Sequence, residues 1–528
     1  MEEKSQVQLD SHIFNTTSSS SQYYPLNVMI SRSIKGWRPE PGYPFKCGIE
    51  IHTQLKTKHK LFSLSKNSPG AAPNTCASYF DFGLPGTIPK LNPEALLLAL
   101  RAAVALKSDI SSISSFDRKH YFYMDQPLGY QITQHYQPLA KNGHLSLVPR
   151  LDDVEEAKTI HVEQIQLEQD TAKLNYNAYD GTVDIDHNRA NVPLIEMVTK
   201  PDFSHLSELR AFVKKYISLM THLGVCSGDM ENGALRCDVN VSVAGGNRVE
   251  IKNLGSTSEI IAAAKYEYAR QVQLLKHGKT PVEQETRSWD GTKTIRTRSK
   301  EDAIDYRYFP DVELPRIRLH PSIGKDLSQT LPELPEQLIQ QLCEEPFLLE
   351  VKHARFLVEN PDLYNYYKNL HHIIVDKHKL SYKVVNNWII HEFIGAFNKL
   401  DIPVDVSVID TEKLASLIIM VSEKKISITS AKLLLTQILQ SPEDRELSIP
   451  DLIDAYDLGA VNDIHGDDLK EAIKEVCSEV IDSHPDVVTK IRNGKTKSIN
   501  FLIGRAMKET QGKVDSKEFE KMFKKLIG

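Results

Sequence analysis

The sequence predicts an α+β protein in which strands and helices mix over the first part of the chain and helices alone follow. Three observations carry this. Between about residues 43 and 325, apolar positions recur with period two in several short runs and at helical spacing in three longer ones. Beyond about residue 325 the strand-like runs fade and helical periodicity takes over. The chain has 528 residues, room for roughly three to four domains at about 150 residues each.

In chain order, residues 1–42 read as a disordered N-terminal segment. Acids come first, a serine run follows at Ser18–Ser21, and Met29–Arg38 then holds Arg32, Lys35 and Arg38 with no acid, as in a mitochondrial import segment or a short basic linker. Phe45–Gln54 alternates as a strand, with Phe45, Cys47, Ile49 and Ile51 on one face and Glu50, His52 and Gln54 on the other. Asn92-Pro93-Glu94 supplies an N-cap, a first-turn proline and an acid at the positive end of the dipole, so the apolar run Ala95–Leu106 reads as a helix. Two further strands are expected at Ile160–Glu168 and Pro193–Val198. Helical spacing returns at Ser207–Leu223, with Gly224 placed to end it, and at Glu259–Leu275. Between them Val239–Val243 and Val249–Lys252 read as a hairpin. The expected domains are 43–325, a helical domain at 326–450 that ends on Ser and Pro breaks near 441–450, and a helical tail at 451–528.

Composition narrows the class. With 41% hydrophobic and 25% charged residues, nothing forces disorder, collagen or a membrane protein. There are 64 basic against 70 acidic residues, a net of −6, which argues against a chain wrapped in nucleic acid over its whole surface. That average conceals a split near the C-terminus. Residues 443–486 hold 14 acids against 3 bases, whereas 487–528 hold 11 bases against 4 acids, the profile of a basic helical unit facing a polyanion or of a solvated face. Six cysteines without a CxxC pair point to a reduced compartment. No run approaches the roughly 18 apolar residues of a membrane helix, and the first residues lack the layout of a secretory signal.

Several segments could carry chemistry. Glu50 and His52, two apart on a strand, can reach one cation, and carboxylate oxygen suits Mg²⁺; a solvated strand face is the alternative. Glu196 stands alone in the apolar run Pro193–Val198, so a metal or a basic partner is expected beside it, an arginine pair included. Asp117–Tyr123 and Gly129-Tyr-Gln131 interleave bases with aromatics, which suits phosphate and base stacking and equally a packed sheet with a basic face. Leu235–Asn240, Glu250–Asn253 and Asp305–Pro310 place polar groups at strand spacing. The phosphate loop GxxxxGK[ST], the dinucleotide GxGxxG unit, HExxH, GxSxG and the Ser-Ser-Lys amidase signature are all missing.

These segments together resemble the GatB family, the B subunit of glutamyl-tRNA(Gln) amidotransferase. The strings are Gly48-Ile-Glu-Ile-His52, Phe116-Asp-Arg-Lys-His-Tyr-Phe-Tyr123, Tyr130-Gln131, Pro193-Leu-Ile-Glu196, Gly233-Ala-Leu-Arg-Cys-Asp-Val-Asn240, Ile251-Lys-Asn-Leu254 and Asp305-Tyr-Arg-Tyr-Phe-Pro310. Asn387-Trp-Ile-Ile390 and Phe501-Leu-Ile-Gly504 extend the likeness through the helical part. The resemblance implies a cradle-like catalytic domain at 43–325, a tRNA-contacting tail, and a carbon–nitrogen ligase with glutamine as amido donor. Its substrate would be Glu-tRNA(Gln), its product Gln-tRNA(Gln). ATP would phosphorylate the glutamyl γ-carboxylate, and ammonia from a separate A-type amidase subunit would displace the phosphate. A small third subunit, of C type or its fungal counterpart, would link the two. The resemblance implies a mitochondrial matrix location, a cytoplasmic one being the alternative. Metal binding, as Mg²⁺, carries over onto His52, Glu168 and Glu196, with Glu50 a further candidate in the catalytic set. Contacts to nucleotide, phosphate or aminoacyl groups carry over onto Lys119, Tyr121, Tyr123, Tyr130, Arg236 and Lys252.

Three features depart from the family pattern. The cysteines that bind structural zinc in many relatives are matched by Ser63, Ser65, Ser78 and Asp81, so no zinc is expected. The usual pair of adjacent acids is Glu168-Gln169, and Leu128 stands where a lysine often precedes Gly-Tyr-Gln. Two other classes compete: a metal-dependent hydrolase using the same Glu and His strands without ATP, and a non-catalytic scaffold that only holds tRNA and an amidase.

Overall fold

The computed structural model describes residues 34–527 except 35, 69, 178, 244–245, 279–282, 300–304, 459–465, 493–497, 511–513 and 515. The import-segment expectation at 29–38 therefore lies outside the described residues except for Ile34 and Gly36–Arg38. The contacts divide the chain into two units. The first comprises 1–147, 157–214 and 226–324; the second comprises 148–156, 215–225 and 325–528.

A nine-stranded sheet organises the first unit. Its order is Thr294–Ser299, Glu285–Trp289, Val249–Leu254, Leu235–Val243, Phe45–Gln54, Pro193–Thr199, Lys158–Gln169, Ala140–Leu147, Asp109–Ile110. Neighbours are antiparallel except Val249–Leu254 against Glu285–Trp289, and the helix Thr257–Lys276 makes the crossover that such a parallel pair requires. The alternation expected at 45–54 holds: Phe45, Cys47, Ile49 and Ile51 are at most 3% exposed, and Glu50, His52 and Gln54 are half-buried. Leu235–Val243 and Val249–Leu254 pair as expected.

The helices start where polar side chains satisfy their free amides. Asn92 accepts from the Glu94 amide and opens Pro93–Ala105. Ser256 accepts from the Glu259 amide while the Glu259 carboxylate accepts from that of Gly255, and together they open Thr257–Lys276. That helix packs across Leu235–Val243 and Val249–Leu254. A small sheet of Phe309–Pro310, Asp117–His120 and Tyr130–Thr133 carries the basic and aromatic segments.

Among its described residues the second unit is helical. One core joins the helices from Pro335–Cys343 to Ile449–Ala455 and centres on Tyr367, Phe393, Phe397, Leu417 and Leu435. Another binds Ile473, Cys477 and Val480 to Leu502, Phe519 and Phe523. The acidic and basic blocks of the C-terminus thus share one apolar core. No described helix is long and apolar enough to cross a membrane.

Candidate functional site

Strand pairing, not proximity in sequence, assembles the site. Phe45–Gln54 is central, and its register sets His52 between Glu196 on one side and Arg236 on the other. Glu50 lies opposite Asp238. One strand further, Glu196 faces Gln166 and Leu194 faces Glu168. Cross-strand partners share a face, so the polar face of the central strand gathers carboxylates from four strands, the face opposite the apolar one.

The distances bring these side chains within reach of one another. His52 Nε2 is 3.0 Å from Glu50 Oε1, and His52 Nδ1 is 4.0 Å from Glu168 Oε1. Donor atoms of His52, Glu168 and Glu196 all lie within 4.8 Å of one another, as do those of Glu50, His52 and Asp238. Glu168 and Glu196 are buried, and Glu168 Oε2 has no hydrogen-bond partner. A buried carboxylate oxygen left open beside two other donors fits a hard divalent cation.

The electrostatics show the cost of this crowding in the absence of an ion. Burial, then repulsion from Glu168 and Glu50, pushes the Glu196 carboxyl up to about 8. Burial would lower the His52 imidazolium, but the Glu50 hydrogen bond and the Glu196 and Glu168 charges outweigh it and raise it to about 9. Burial would raise Glu50, yet the hydrogen bond and charge of His52, with Lys252 and Lys119, hold it down at about 2.

The other expected residues divide. Lys119 comes to the cluster: burial opposes its charge, but Glu168 and Glu196 raise its ammonium above the ordinary range. Tyr121 follows, its hydroxyl raised by burial and then by Glu168. Lys252 pairs with Asp238 at 2.7 Å and Glu250 at 3.2 Å. Arg236 Nη2 binds Asp170 Oδ1 at 2.8 Å, where Gln54 also donates to the carboxylate. Tyr123 is 58% exposed and lies 5.6 Å from the Tyr121 ring. Tyr130 is not brought to the carboxylates; the Arg118 guanidinium stacks over its ring at 4.3 Å and is bound to Asp311. Gln169 turns toward the Tyr130 carbonyl, 3.5 Å away.

Asp238, Asp170, Tyr306 and Tyr308 belong to the surroundings and were not singled out by sequence reasoning. The signal for Asp238 was the alternation in Leu235–Asn240, which puts it on the face of Arg236. Asp170 closes the acidic run Gln166-Leu-Glu-Gln-Asp170, in which sequence reasoning assigned this residue no role.

At three of the four positions matched to zinc-binding cysteines, Ser63, Ser78 and Asp81, a polar hub stands instead. Asp81 accepts from Lys60 Nζ at 3.2 Å, from the Ser78 amide at 2.7 Å and hydroxyl at 3.0 Å, and from Asn191 at 3.0 Å. Ser63 adds a longer bond at 3.3 Å. The Lys60 and Asp81 side chains are both 0% exposed.

Fold and site define a class: a protein whose sheet domain presents a carboxylate–imidazole cluster and is followed along the chain by helical segments. Residues 45–325 match the GatB/GatE catalytic domain, and residues 372–527 match the GatB domain. Similar relatives are each named as the mitochondrial B subunit of glutamyl-tRNA(Gln) amidotransferase. That of Debaryomyces hansenii is 57% identical over 95% of this chain and 98% of its own length. That of Scheffersomyces stipitis is 58% identical over 94% and 97%, and that of Saccharomyces cerevisiae strain S288c is 46% identical over 93% and 95%. The chain belongs to the GatB family, the B subunit of glutamyl-tRNA(Gln) amidotransferase. It is a mitochondrial form of this component of the tRNA-dependent amidotransferase, the enzyme that converts Glu-tRNA(Gln) to Gln-tRNA(Gln). Membership implies a complex with other amidotransferase subunits and Glu-tRNA(Gln), and use of ATP is consistent with it.

Proposed function

We propose that Glu50, His52, Glu168 and Glu196 form the centre at which the glutamyl γ-carboxylate is phosphorylated and then amidated. The observation that carries this reading is the convergence of His52, Glu168 and Glu196 donor atoms within 4.8 Å around a buried, unpartnered carboxylate oxygen. The γ-carboxylate oxygen attacks the γ-phosphorus of ATP and ADP leaves. Ammonia then adds to the activated carbonyl carbon, the C–O bond to phosphate breaks, inorganic phosphate departs, and nitrogen gives up its surplus proton. A free carboxylate lacks a leaving group, and phosphate supplies one. Mg²⁺ would be held by His52, Glu168 and Glu196, with Glu50 as a further ligand, and would offset the negative charge that gathers where phosphate meets carboxylate.

The chain's own residues do the rest by position. Lys119 presents a cation to the same space, and Tyr121 and Tyr123 stand beside it. Arg236 and Lys252, held by Asp170 and Asp238, flank the cluster for phosphate or aminoacyl contact. Tyr130 fixes Arg118 at the rim. Ammonia comes from an A-type amidase subunit, because this chain has no Ser-Ser-Lys signature, and a small third subunit links the two. The hub around Lys60 and Asp81 occupies the place of a zinc site, so no zinc is required. The lysines of the C-terminal helices contact the tRNA body, and the complex works in the matrix.

The test is the reconstituted complex with Glu-tRNA(Gln), assayed with and without ATP and with ammonium in place of glutamine. His52→Ala and Glu196→Gln should each remove ATP-dependent phosphorylation while the complex stays assembled. Full activity in either variant overturns the assignment, and turnover without ATP favours a hydrolase.

A further inference from the structure

The Asp170 carboxylate decides where the Arg236 guanidinium lies. Asp170 is 3% exposed and directly follows the strand Lys158–Gln169, just beyond Glu168. Its Oδ1 accepts from Arg236 Nη2 at 2.8 Å and from the Thr171 amide at 2.9 Å, and its Oδ2 accepts from Gln54 Nε2 at 3.1 Å. Arg189 Nε stands 3.9 Å away and is already bound to the Thr171 carbonyl at 2.9 Å. Arg236 belongs to Leu235–Val243, and Phe45–Gln54 and Pro193–Thr199 lie between that strand and Lys158–Gln169 in the sheet. Its side chain shares a face with His52, its register partner, so it reaches Asp170 across the face that carries the cluster.

Three observations tie this anchorage to the cluster. Asp170 is the only hydrogen-bond partner of that guanidinium among the described residues. Asp170 first, with Asp238 and Glu168 after it, raises the guanidinium above its ordinary range although burial opposes the charge. Of the two further anions, Asp238 is taken, by Lys252 at 2.7 Å and by the Asn253 amide at 2.8 Å, whereas Glu168 is buried with an Oε2 that has no hydrogen-bond partner. Guanidinium and carboxylate pair strongly, so an open carboxylate oxygen near such donors persists only while they are engaged elsewhere. A Glu168 bound by arginine would offer fewer lone pairs to a cation and would set a like charge beside it.

We propose that Asp170 is a positioning residue that holds the Arg236 guanidinium off Glu168 and so keeps the donors of His52, Glu168 and Glu196 open to a divalent cation. The proposal rests on the reading of that set as a Mg²⁺ centre and adds the residue that keeps it free. Asp170 touches neither the cation nor the reacting atoms; it acts through Arg236. The removal of its charge is therefore felt at Glu168, and the removal of Arg236 as well cancels the effect.

The experiment is calorimetric titration of the reconstituted complex with Mg²⁺ alone, without tRNA or nucleotide, so that affinity and not turnover is read. Asp170→Asn keeps the shape of the side chain and removes its charge. The guanidinium then turns to Glu168, and the Kd for Mg²⁺ should rise about tenfold or more, as when a group behind a metal ligand is lost. Asp170→Asn/Arg236→Met also removes the intruding cation and should bring the Kd back to within about threefold of the unmodified complex. A merely structural role predicts the reverse, because the double variant loses a second partly buried group. Gln54→Glu/Asp170→Asn exchanges acid and amide across one hydrogen bond and keeps an anion beside Arg236. Its Kd should also stay within about threefold, and it carries the test if Asp170→Asn alone does not assemble. An unchanged Kd in Asp170→Asn, a double variant with Arg236→Met that binds no more tightly than the single one, or a tenfold loss in the exchanged pair each overturns the proposal. Mg²⁺ uptake that Glu168→Gln abolishes leaves the reading of the cluster standing whatever the Asp170 variants do. An unmodified complex whose uptake is the same as that of Glu168→Gln refutes that reading, and this inference falls with it.

Discussion

Lys60→Met keeps an unbranched side chain of similar length and removes the ammonium, leaving Asp81 a buried anion without its counter-ion. Both side chains are 0% exposed and 3.2 Å apart. Breaking such a pair by removing one partner costs about 3–5 kcal/mol. Asp81 keeps the bonds from the Ser78 amide, the Ser78 hydroxyl and Asn191, which places the loss near the lower end, about 3 kcal/mol. The lost bond from Lys60 to the His187 carbonyl, 2.9 Å long, acts in the same direction. For a unit of this size that corresponds to a fall in Tm of roughly 5 °C. Differential scanning calorimetry of the full chain reads it. The companion Lys60→Met/Asp81→Asn removes both charges and keeps an oxygen acceptor for Asn191, so it should recover at least half of the loss. A single variant within 0.5 °C of the unmodified chain, or a double variant less stable than the single one, would refute the view that this ion pair holds the segment.

Titration with Mg²⁺ should tighten as pH rises from about 6 to about 9. The Glu196 carboxyl, pushed up to about 8, and the His52 imidazolium, raised to about 9, both hold protons that an ion displaces, whereas Glu50, near 2, is already ionised. Calorimetry in buffers of different ionisation enthalpy should find protons released, and a pH-independent affinity would contradict the ligand set. Trp37→Ala should cost about 2 kcal/mol in thermal unfolding, since Trp37 packs edge-on against Phe45, His205 and Tyr268; an unchanged Tm would make residues 36–44 dispensable. Deleting 487–528 should lower the helicity of Gly466–Ser483 by circular dichroism, because Ile473, Cys477 and Val480 lose Leu502, Phe519 and Phe523. For that reason the salt dependence of tRNA binding is better tested by Lys521→Gln, Lys524→Gln and Lys525→Gln together, which should flatten the slope by up to about 1 per lost phosphate contact. An unchanged slope would leave these lysines a solvated face.

Local chemistry was legible in the sequence. Alternation at Phe45–Gln54 assigned Glu50 and His52 to one face, because side chains on a strand point to opposite sides in turn whatever the strand pairs with. Asn92-Pro93-Glu94 marked a helix start, since the cap is made by residues two apart. Ser256 was missed as a cap although Glu259 three residues later completes the motif; the helix was read from its apolar run, which begins after the cap. The family resemblance carried metal binding onto Glu168 and Glu196 beside His52 as an expectation. Their meeting, however, is a matter of register, set by the pairing of Phe45–Gln54 with Pro193–Thr199, more than a hundred residues further on, and of that strand with Lys158–Gln169. A shift of one residue would have turned Glu196 to the other face of the sheet. Tertiary structure also decided what no single segment encodes: Asp170 as the anchor of Arg236 and the Lys60–Asp81 hub. The physical reason is the same in each case. Secondary structure follows from contacts within a few residues, whereas charge pairs, ring contacts and ligand clusters depend on distances of a few ångströms between distant parts of the chain, which exist only once the sheet has closed.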